Sequence, residues 1–301
     1  LEFRRVLFRS TRNGIEARLV PAAGIPVEWI GIGGLRGKGV ATLLGAPFAL
    51  LCALWQSLAA VRRQRPAVVV GLGGYVTGPG GLAAWLLRRP LVIHEQNAVA
   101  GFTNRVLARL ADPVLEAFPG SFPAARRARA IGNPVRAAFR SLPSPAVRYG
   151  ARSGALRLLV VGGSQGAAKL NATVPLALAQ LPPGLFEVRH QSGERGFAAA
   201  REAYAAAGVT ARIEPFIDDI AAAYAEADLV VCRAGALTVS EIAAAGVAAL
   251  FVPFAAAVDD HQTLNAGRLV ARGAARSLPE VGLDAARLAA ELRALGALGR
   301  E

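Results

Sequence analysis

The 301-residue sequence has no methionine, only two cysteines and only two lysines. Because methionine is absent, we expect this chain to be a fragment or a processed product. Cys52 and Cys232 lie far apart in apolar runs and have no metal-ligand spacing, so we interpret them as buried thiols of a reducing compartment. The cysteines therefore offer no basis for a metal centre.

Aromatic residues are also scarce, at 6% of the chain. The arginines are scattered without interleaved stacking aromatics, and no nucleic-acid-binding motif appears, which argues against nucleic acid as a partner. The net charge of +13 nevertheless comes almost entirely from arginine, since Lys38 and Lys169 are the only lysines. This excess suggests an anionic partner.

No signal peptide is evident, because the opening LEFRRVLFRS has neither an apolar core nor a small-residue cleavage site. We treat residues 1–10 as candidate foreign sequence and build no prediction on them. Val40–Val61 is uncharged over its whole length and long enough to cross a bilayer. Internal Gly45, Pro47 and Gln56, with basic residues at both ends, favour instead a buried or interfacial helix of an α/β domain that can rest on an anionic membrane.

Short β-branched runs alternate with Ala- and Leu-rich helical runs, which predicts parallel sheets with crossover helices. The predicted strands are 67–71, 91–94, 114–118, 156–161, 186–191, 211–215, 229–232 and 249–252. A stretch rich in Pro, Ser, Gly and Arg at 139–155 predicts a linker between a first domain, 1–138, and a second domain, 156–301. We therefore predict two Rossmann-like domains whose glycine-rich turns face a shared cleft.

The first candidate site is the turn Gly162-Gly163-Ser164-Gln165-Gly166, which follows an apolar strand and opens a helix. Glycine amides at a helix start suit a phosphate, and the Ser164 hydroxyl adds a donor, so a diphosphate fits this turn. The alternative is a tight turn whose glycines serve only close packing. The spacing is not the G-x-G-x-x-G of a dinucleotide fold, which argues against a Rossmann oxidoreductase.

The second candidate is RAGALTVSEIAAAG, residues 233–246, after strand 229–232. Thr238 and Glu241 have the T-x-x-E spacing of a capping box, so Glu241 caps its own helix in one interpretation. In the other, Glu241 accepts hydrogen bonds from two neighbouring hydroxyls, as a carboxylate does with a ribose, while the amides of Ala236, Leu237 and Thr238 meet the ligand. Two such turns in one domain favour a nucleotide.

Two polar clusters complete the candidates. His94, Glu95, Gln96 and Asn97 crowd the end of a predicted buried strand, where solvated loop residues are the alternative to a functional group. Asp259, Asp260 and His261 have no second ligand cluster, so we predict no metal site. Asp218 and Asp219 precede a helical run and are predicted to cap it.

Several of these segments together resemble the MurG family of GT-B glycosyltransferases of peptidoglycan synthesis. They are GLRGKG (34–39), GGYVTGPGG (73–81), HEQN (94–97), GNPVR (132–136), GGSQGA (162–167), FIDD (216–219) and GALTVSEIAAAG (235–246). The resemblance extends from about residue 11 to the C-terminus. It implies inverting transfer of N-acetylglucosamine from UDP-N-acetylglucosamine to the 4-hydroxyl of the muramyl sugar of lipid I, forming lipid II at the cytoplasmic face of the bacterial membrane.

The resemblance also implies roles for individual positions. It assigns UDP-N-acetylglucosamine to Asn97, Arg136, Ser164, Ile217, Ala236, Leu237, Thr238, Val239, Ser240, Glu241, Gln262 and Asn265, with Gly162, Gly163 and Gly166 forming the phosphate turn. Tyr75, His94, Glu95 and Asn171 match the acceptor side. A helix N-terminus and an arginine can neutralise a diphosphate, so no metal or other cofactor is implied.

One family feature has no counterpart, namely the N-terminal G-T-G-G-H loop whose histidine is the family's proposed base. His94 and Glu95 remain as candidate bases. We therefore expect a first domain lacking its first strand–helix unit, an intact donor domain and impaired turnover. Other GT-B transferases, a UDP-sugar epimerase and a non-catalytic membrane-associated scaffold are the alternatives.

Overall fold

The computed structural model describes residues 8–10, 16–29, 40–150, 152–163, 167–257 and 260–299. The chain divides into two compact units, Leu1–Gly132 and Asn133–Glu301. Both units are built from parallel strands connected by helices, as the alternating pattern predicts.

The first unit contains a parallel four-stranded sheet in the order β3-β4-β5-β6 and a separate parallel pair, β1-β2. Ile93 of β4 is fully buried and packs in a core with Ala84 and Leu107 from the flanking helices. The strands are β1 (Phe8–Ser10), β2 (Val27–Trp29), β3 (Val69–Gly71), β4 (Leu91–Glu95), β5 (Val114–Glu116) and β6 (Arg129–Ala130); the helices are α1 (Glu16–Ala22), α2 (Val40–Gln64), α3 (Thr77–Leu86) and α4 (Phe102–Leu107). Strand β1 thus lies within the segment treated as candidate foreign sequence.

Helix α2 covers the long uncharged run, and its two faces differ. Ala53, Ser57 and Ala60 are buried where α2 packs against α3. Phe48, Leu51 and Trp55, spaced i, i+3 and i+7 on the other face, are 65–75% exposed. None of the helices in the described part of the chain is long and apolar enough to span a membrane.

The second unit contains a six-stranded parallel sheet in the order β12-β11-β10-β7-β8-β9. From β7 the chain adds β8 and β9 on one side of the sheet, and then returns to add β10, β11 and β12 on the other side. The order of the strands therefore reverses between β7 and β10, and such sheets bind ligands in the crevice beyond the carboxyl ends of the strands at this point. From Leu158 to Val160 strand β7 is buried on both faces, which explains the apolar run there, whereas Arg157 near its start is exposed. The strands are β7 (Leu156–Val161), β8 (Phe186–Gln191), β9 (Arg212–Glu214), β10 (Leu229–Cys232), β11 (Ala248–Phe251) and β12 (Ala275–Ser277).

Helices flank this sheet, and Leu158 of β7 is buried in one core with Leu170 and Leu288 of the flanking helices. Asp219 and Asp284 cap α9 and α12 by accepting hydrogen bonds from the backbone amides of Ala222 and Arg287, which confirms the predicted cap before α9. The helices are α5 (Ala137–Arg140), α6 (Pro145–Tyr149), α7 (Ala168–Leu178), α8 (Phe197–Ala206), α9 (Ile220–Glu226), α10 (Ala236–Ala245), α11 (His261–Val270) and α12 (Ala285–Leu298).

The division between the units falls between Gly132 and Asn133, before the predicted linker at 139–155. Part of that segment folds as α5 and α6, and it packs on the second unit. Arg148 is 9% exposed and donates to the carbonyls of Ala225, Ala245 and Gly246, at the C-terminal ends of α9 and α10. Cations are favourable at helix C-termini, so these bonds explain why a Pro- and Ser-rich sequence is ordered there.

Candidate functional site

The glycine turn after β7 is held by a glutamine that the sequence did not single out. Gly163 has φ +79°, a conformation that favours glycine. Its amide donates to Oε1 of Gln191 at 3.0 Å, and Nε2 of Gln191 donates to the carbonyl of Gly163 at 3.1 Å. Gly162 continues the β7–β8 ladder, with its amide 2.9 Å from the carbonyl of Gln191. Ser164 and Gly166, two predicted site residues in the same turn, lie outside the described residues.

The second glycine turn leads into α10, and the position at which this helix begins rules out the capping box of Thr238 and Glu241. The helix begins at Ala236, with Gly235 as its N-cap and no side-chain cap bond, so Thr238 lies inside the first turn. The first bond back into the turn runs from the Val239 amide to the Gly235 carbonyl, at 2.9 Å. The amides of Ala236, Leu237 and Thr238 precede it and have no intrahelical partner, as expected for a helix start. They are the groups that can meet an anion.

Glu241 does not cap α10 but pairs with Arg136. Nε and Nη2 of Arg136 lie 3.1 Å and 2.8 Å from Oε1 of Glu241. The Glu241 side chain is 15% exposed, whereas that of Arg136 is 57% exposed and stacks over the Phe139 ring. Two residues assigned to the nucleotide by resemblance are thus direct neighbours.

Ser240, one turn along α10, contacts Asn133, which lies near Arg136 at the start of the second unit. Nδ2 of Asn133 donates to the Ser240 hydroxyl at 3.0 Å and to the Ala236 carbonyl at 3.3 Å. The Ser240 hydroxyl itself donates to the Ala236 carbonyl at 2.9 Å. Val239, beside it in α10, is buried in the core. The side chains of Val239 and Ser240 therefore support α10.

The turns after β10 and β11 are linked through Gln262 and Asn265 of α11. Oε1 of Gln262 accepts from the amides of Ala234 and Phe254, at 3.3 Å and 2.9 Å. Within the part of the chain that the structure describes, Nε2 of Gln262 has no hydrogen-bond acceptor, so the amide presents its donor end. Asn265 is fully buried and donates to the Ala234 carbonyl at 3.1 Å, a supporting position.

An ion pair missed by sequence reasoning fixes the same two turns. Arg233 donates to Glu280 and to the Val252 carbonyl, 3.1 Å away, while Glu280 accepts from the Ala255 amide at 2.8 Å. Partial burial acts to raise the pKa of Glu280, but the hydrogen bonds from Arg233 and the Ala255 amide outweigh it and lower the pKa overall. Single-sequence patterns offered no signal, because Arg233 and Glu280 are far apart in the chain.

Ile217 lies between β9 and α9 and is 5% exposed. Asn171, which the resemblance assigns to the acceptor side, lies in α7 of the second unit. It is 5% exposed, its Oδ1 accepts from Nε2 of His190 at 3.0 Å, and its Nδ2 donates to the Ser192 carbonyl at 3.0 Å. Both ends of its amide are engaged inside the second unit, and its acceptor-side role stays a prediction.

In the first unit, the candidate base Glu95 is 2% exposed at the end of β4. Its carboxylate accepts from the amide and side chain of Asn97, from the Gly101 amide and from Nδ2 of Asn104, at 2.8–3.1 Å. His94 is 5% exposed, with Nε2 3.0 Å from the Gly132 carbonyl. These contacts hold the loop after β4, and a carboxylate with four donors is poorly suited to accept a substrate proton. The role of Glu95 or His94 as the base stays a prediction.

The same edge of the first unit carries the other predicted residues. Asn97 is partly buried, and its carbonyl accepts from the Ser121 hydroxyl at 2.8 Å. Tyr75 is 45% exposed and follows Gly73 and Gly74, which have φ values of +89° and +76°. GLRGKG at 34–39 and Asp259 lie outside the described residues. The described residues include no group of three His, Cys, Asp or Glu side chains placed to hold a metal ion.

Comparison with known proteins identifies the family. The Glycosyltransferase family 28 N-terminal domain matches residues 5–116, and the family 28 C-terminal domain matches residues 157–297. A relative from Nitrosococcus oceani, named "UDP-N-acetylglucosamine--N-acetylmuramyl-(pentapeptide) pyrophosphoryl-undecaprenol N-acetylglucosamine transferase", is 61% identical over 97% of this chain and 82% of its own length. A relative of the same name from Alkalilimnicola ehrlichii is 57% identical over 96% and 81%.

Solved structures agree. The Acinetobacter baumannii MurG crystal structure has a TM-score of 0.83 and 42% identity, covering 98% of this chain and 83% of the other. A UDP-GlcNAc 2-epimerase from Neisseria meningitidis shares the fold alone, with a TM-score of 0.60 at 10% identity over 97% of this chain and 82% of its own. The predicted GT-B fold is therefore confirmed, and the chain belongs to glycosyltransferase family 28, among the MurG transferases.

Proposed function

We propose that this chain transfers N-acetylglucosamine from UDP-N-acetylglucosamine to the 4-hydroxyl of the muramyl sugar of lipid I, inverting the anomeric centre and forming lipid II. The observation that carries the proposal is the pairing of Arg136 with Glu241, a residue of α10, the helix whose first amides have no intrahelical partner. It places an anion-binding helix start next to a carboxylate suited to a ribose. The names of the relatives support the same donor and acceptor.

In this proposal the second unit binds the donor. The diphosphate lies against the Gly162–Gly163 turn and the amides of Ala236–Thr238, and Ser164 adds a hydroxyl donor. Glu241 accepts from the ribose hydroxyls, and the backbone of Ile217 meets the uracil. Gln262 presents Nε2 to an acceptor atom of the sugar, because its Oε1 is already engaged. Each role follows the resemblance and agrees with the contacts of the described residues.

Transfer forms a bond between the acceptor 4-oxygen and the anomeric carbon, breaks the bond from that carbon to UDP, and releases the proton of the hydroxyl. Negative charge grows on the diphosphate as UDP leaves. Amides fixed at the start of α10 and the exposed guanidinium of Arg136 are oriented before the reaction, so they stabilise that charge without reorganisation. Asn97, held by Glu95, is proposed to contact the donor from the first unit.

We further propose that no metal ion or other cofactor takes part, because backbone amides and Arg136 supply the positive field that a cation would otherwise supply. Transfer measured in excess chelator should match transfer in added Mg²⁺. A chelator-sensitive rate that a divalent cation restores would contradict this part of the proposal.

The direct test is isothermal titration of UDP-N-acetylglucosamine, with UDP, UDP-glucose and NAD as comparisons. We expect saturable binding that favours UDP-N-acetylglucosamine and no binding of NAD. Product analysis with lipid I and with simple sugar acceptors then separates this transfer from other transfers and from epimerisation of the donor. A folded sample that binds no uridine nucleotide would refute the proposal.

The acceptor is lipid-linked, and we propose that α2 rests on an anionic membrane surface. Phe48, Leu51 and Trp55 form one exposed apolar stripe. Arg62, seven residues after Trp55 and so on the same face of α2, adds a positive charge at the end of this stripe. Binding to vesicles rich in phosphatidylglycerol should exceed binding to phosphatidylcholine vesicles and should fall with added salt. Replacing both Phe48 and Trp55 by serine should weaken it, whereas Phe216→Ser, an exposed aromatic of the second unit, should not.

A further inference from the structure

Gln191, at the end of β8, bonds two segments that the proposed function assigns to different parts of one ligand. The side chain is 4% exposed. Oε1 accepts from the Gly163 amide at 3.0 Å, and Nε2 donates to the carbonyls of Gly163 and Pro215, both at 3.1 Å. The orientation of the amide is fixed by these partners, since a flipped amide would place donor against donor at Gly163 and acceptor against acceptor at both carbonyls.

The geometry explains why a side chain is needed there. The backbone ladder between β7 and β8 ends at the bond from the Gly162 amide to the Gln191 carbonyl, 2.9 Å. One residue further along, Gly163 turns away with φ +79°, and the amide of Gln191 replaces the missing strand partner. On its other side β9 ends at Glu214, so the Pro215 carbonyl would also lack a partner on that edge. Gln191 therefore fixes the distance between the two loops.

We propose that Gln191 is a positioning residue that couples the diphosphate turn to the segment recognising the nucleobase. The inference rests on the proposed function, in which Gly163 lies against the diphosphate and Ile217, two residues after Pro215, meets the uracil. A uridine diphosphate spans both loops, whereas uridine alone or pyrophosphate alone needs only one. Fixing the spacing of the loops thus favours the nucleotide over either of its parts.

The test compares three ligands on the full chain: UDP, uridine and inorganic pyrophosphate. Gln191→Leu and Gln191→Met remove all three side-chain bonds at similar size. Gln180→Leu is the matched control because Gln180 is exposed and its side chain bonds the nearby Leu176 carbonyl. We expect about a tenfold or greater loss of UDP affinity in the Gln191 variants, with less than about a threefold loss for uridine and for pyrophosphate. The control should bind all three as the unmodified chain does.

Equal losses for all three ligands, or unchanged UDP affinity, would overturn the coupling role. If neither variant folds, amide NMR of the unmodified chain decides: uridine should shift the Gly163 signal, and an unmoved Gly163 signal would overturn the inference. Failure of the unmodified chain to bind UDP would instead count against the proposed function, so the two failures are distinguishable.

Discussion

Arg136 donates two hydrogen bonds to a single carboxylate oxygen of Glu241, from Nε at 3.1 Å and from Nη2 at 2.8 Å. The two residues come from different segments, the GNPVR stretch and helix α10. Such a fork of two charge-assisted bonds holds the pair more firmly than a single contact with lysine would. The guanidinium thus orients the carboxylate that we assign to the ribose.

Replacing Arg136 by lysine or Glu241 by glutamine should each weaken UDP-N-acetylglucosamine binding about tenfold, because either change breaks the fork. The double variant should lose less than the sum of the two single losses, since the residues act as one unit. Isothermal titration of all four proteins measures the coupling. Strictly additive losses would show that Arg136 and Glu241 bind the ligand independently.

Glu95→Gln tests whether Glu95 is a base or holds its loop. We expect a loss of unfolding free energy of about 1–3 kcal/mol, because the new amide places a donor against the donors around it. The shape of the pH–rate profile should be unchanged. Glu116→Gln is the matched control, since Glu116 is 5% exposed and accepts from the Gly120 and Phe122 amides in the same manner. The opposite outcome is a 10²- to 10⁴-fold fall in kcat for Glu95→Gln alone, with loss of the limb of the pH–rate profile that reports a general base. That outcome would identify Glu95 as the base.

His190 should make the second unit acid-sensitive. Its ring is fully buried between Asn171 and Tyr204, and burial lowers its pKa from 6.5 to about 4. Between these values the unfolded chain binds more protons than the folded chain, so the free energy of unfolding should fall as pH drops from 6.5 to 4, by at most about 3 kcal/mol. Denaturant unfolding at several pH values measures the slope. The slope should be smaller in His190→Gln, and an identical slope would contradict the assignment.

Glu280→Gln should loosen the turn after β11, because Arg233 loses its charged partner while remaining largely buried. We expect a rise of about three- to tenfold in the donor KM and a lower melting temperature. Glu291→Gln, which breaks the more exposed pair of Arg276 and Glu291, should change neither by much. An unchanged donor KM in a destabilised Glu280→Gln variant would limit the ion pair to stability.

The bounds of β7, β8 and β10 match the prediction. Strand β10 is a buried apolar run and β7 departs from one only at Arg157, whereas β8 is largely polar and only its bounds were predicted. The β11 prediction was shifted by one residue, since strand ends depend on neighbours in the sheet. Segment 139–155 was not predictable, because its order comes from Arg148 and Arg152 reaching carbonyls and Asp228 far along the chain.

Some features of the candidate site were likewise predictable from the sequence, and others were not. Glycine turns after strands are visible in sequence, and the structure places Gly163 and Gly235 where ligands of parallel sheets bind. The T-x-x-E spacing of Thr238 and Glu241 fitted a capping box as well as it fitted a ribose-binding carboxylate. Only the observed start of α10 at Ala236 ruled out the capping box. Gln191 and the Arg233–Glu280 pair left no pattern, since their partners are remote and mostly backbone atoms.

Arg148 and Arg152 also determine how the protein can be divided for study. The match to the family's C-terminal domain begins at residue 157, after both arginines. A recombinant fragment cut there would leave Asp228 without the Arg152 partner that lies 2.6 Å away and would expose the carbonyl ends of α9 and α10. A fragment beginning at Asn133 keeps these bonds together with the Arg136–Glu241 pair, and is therefore the better choice for studying nucleotide binding in isolation.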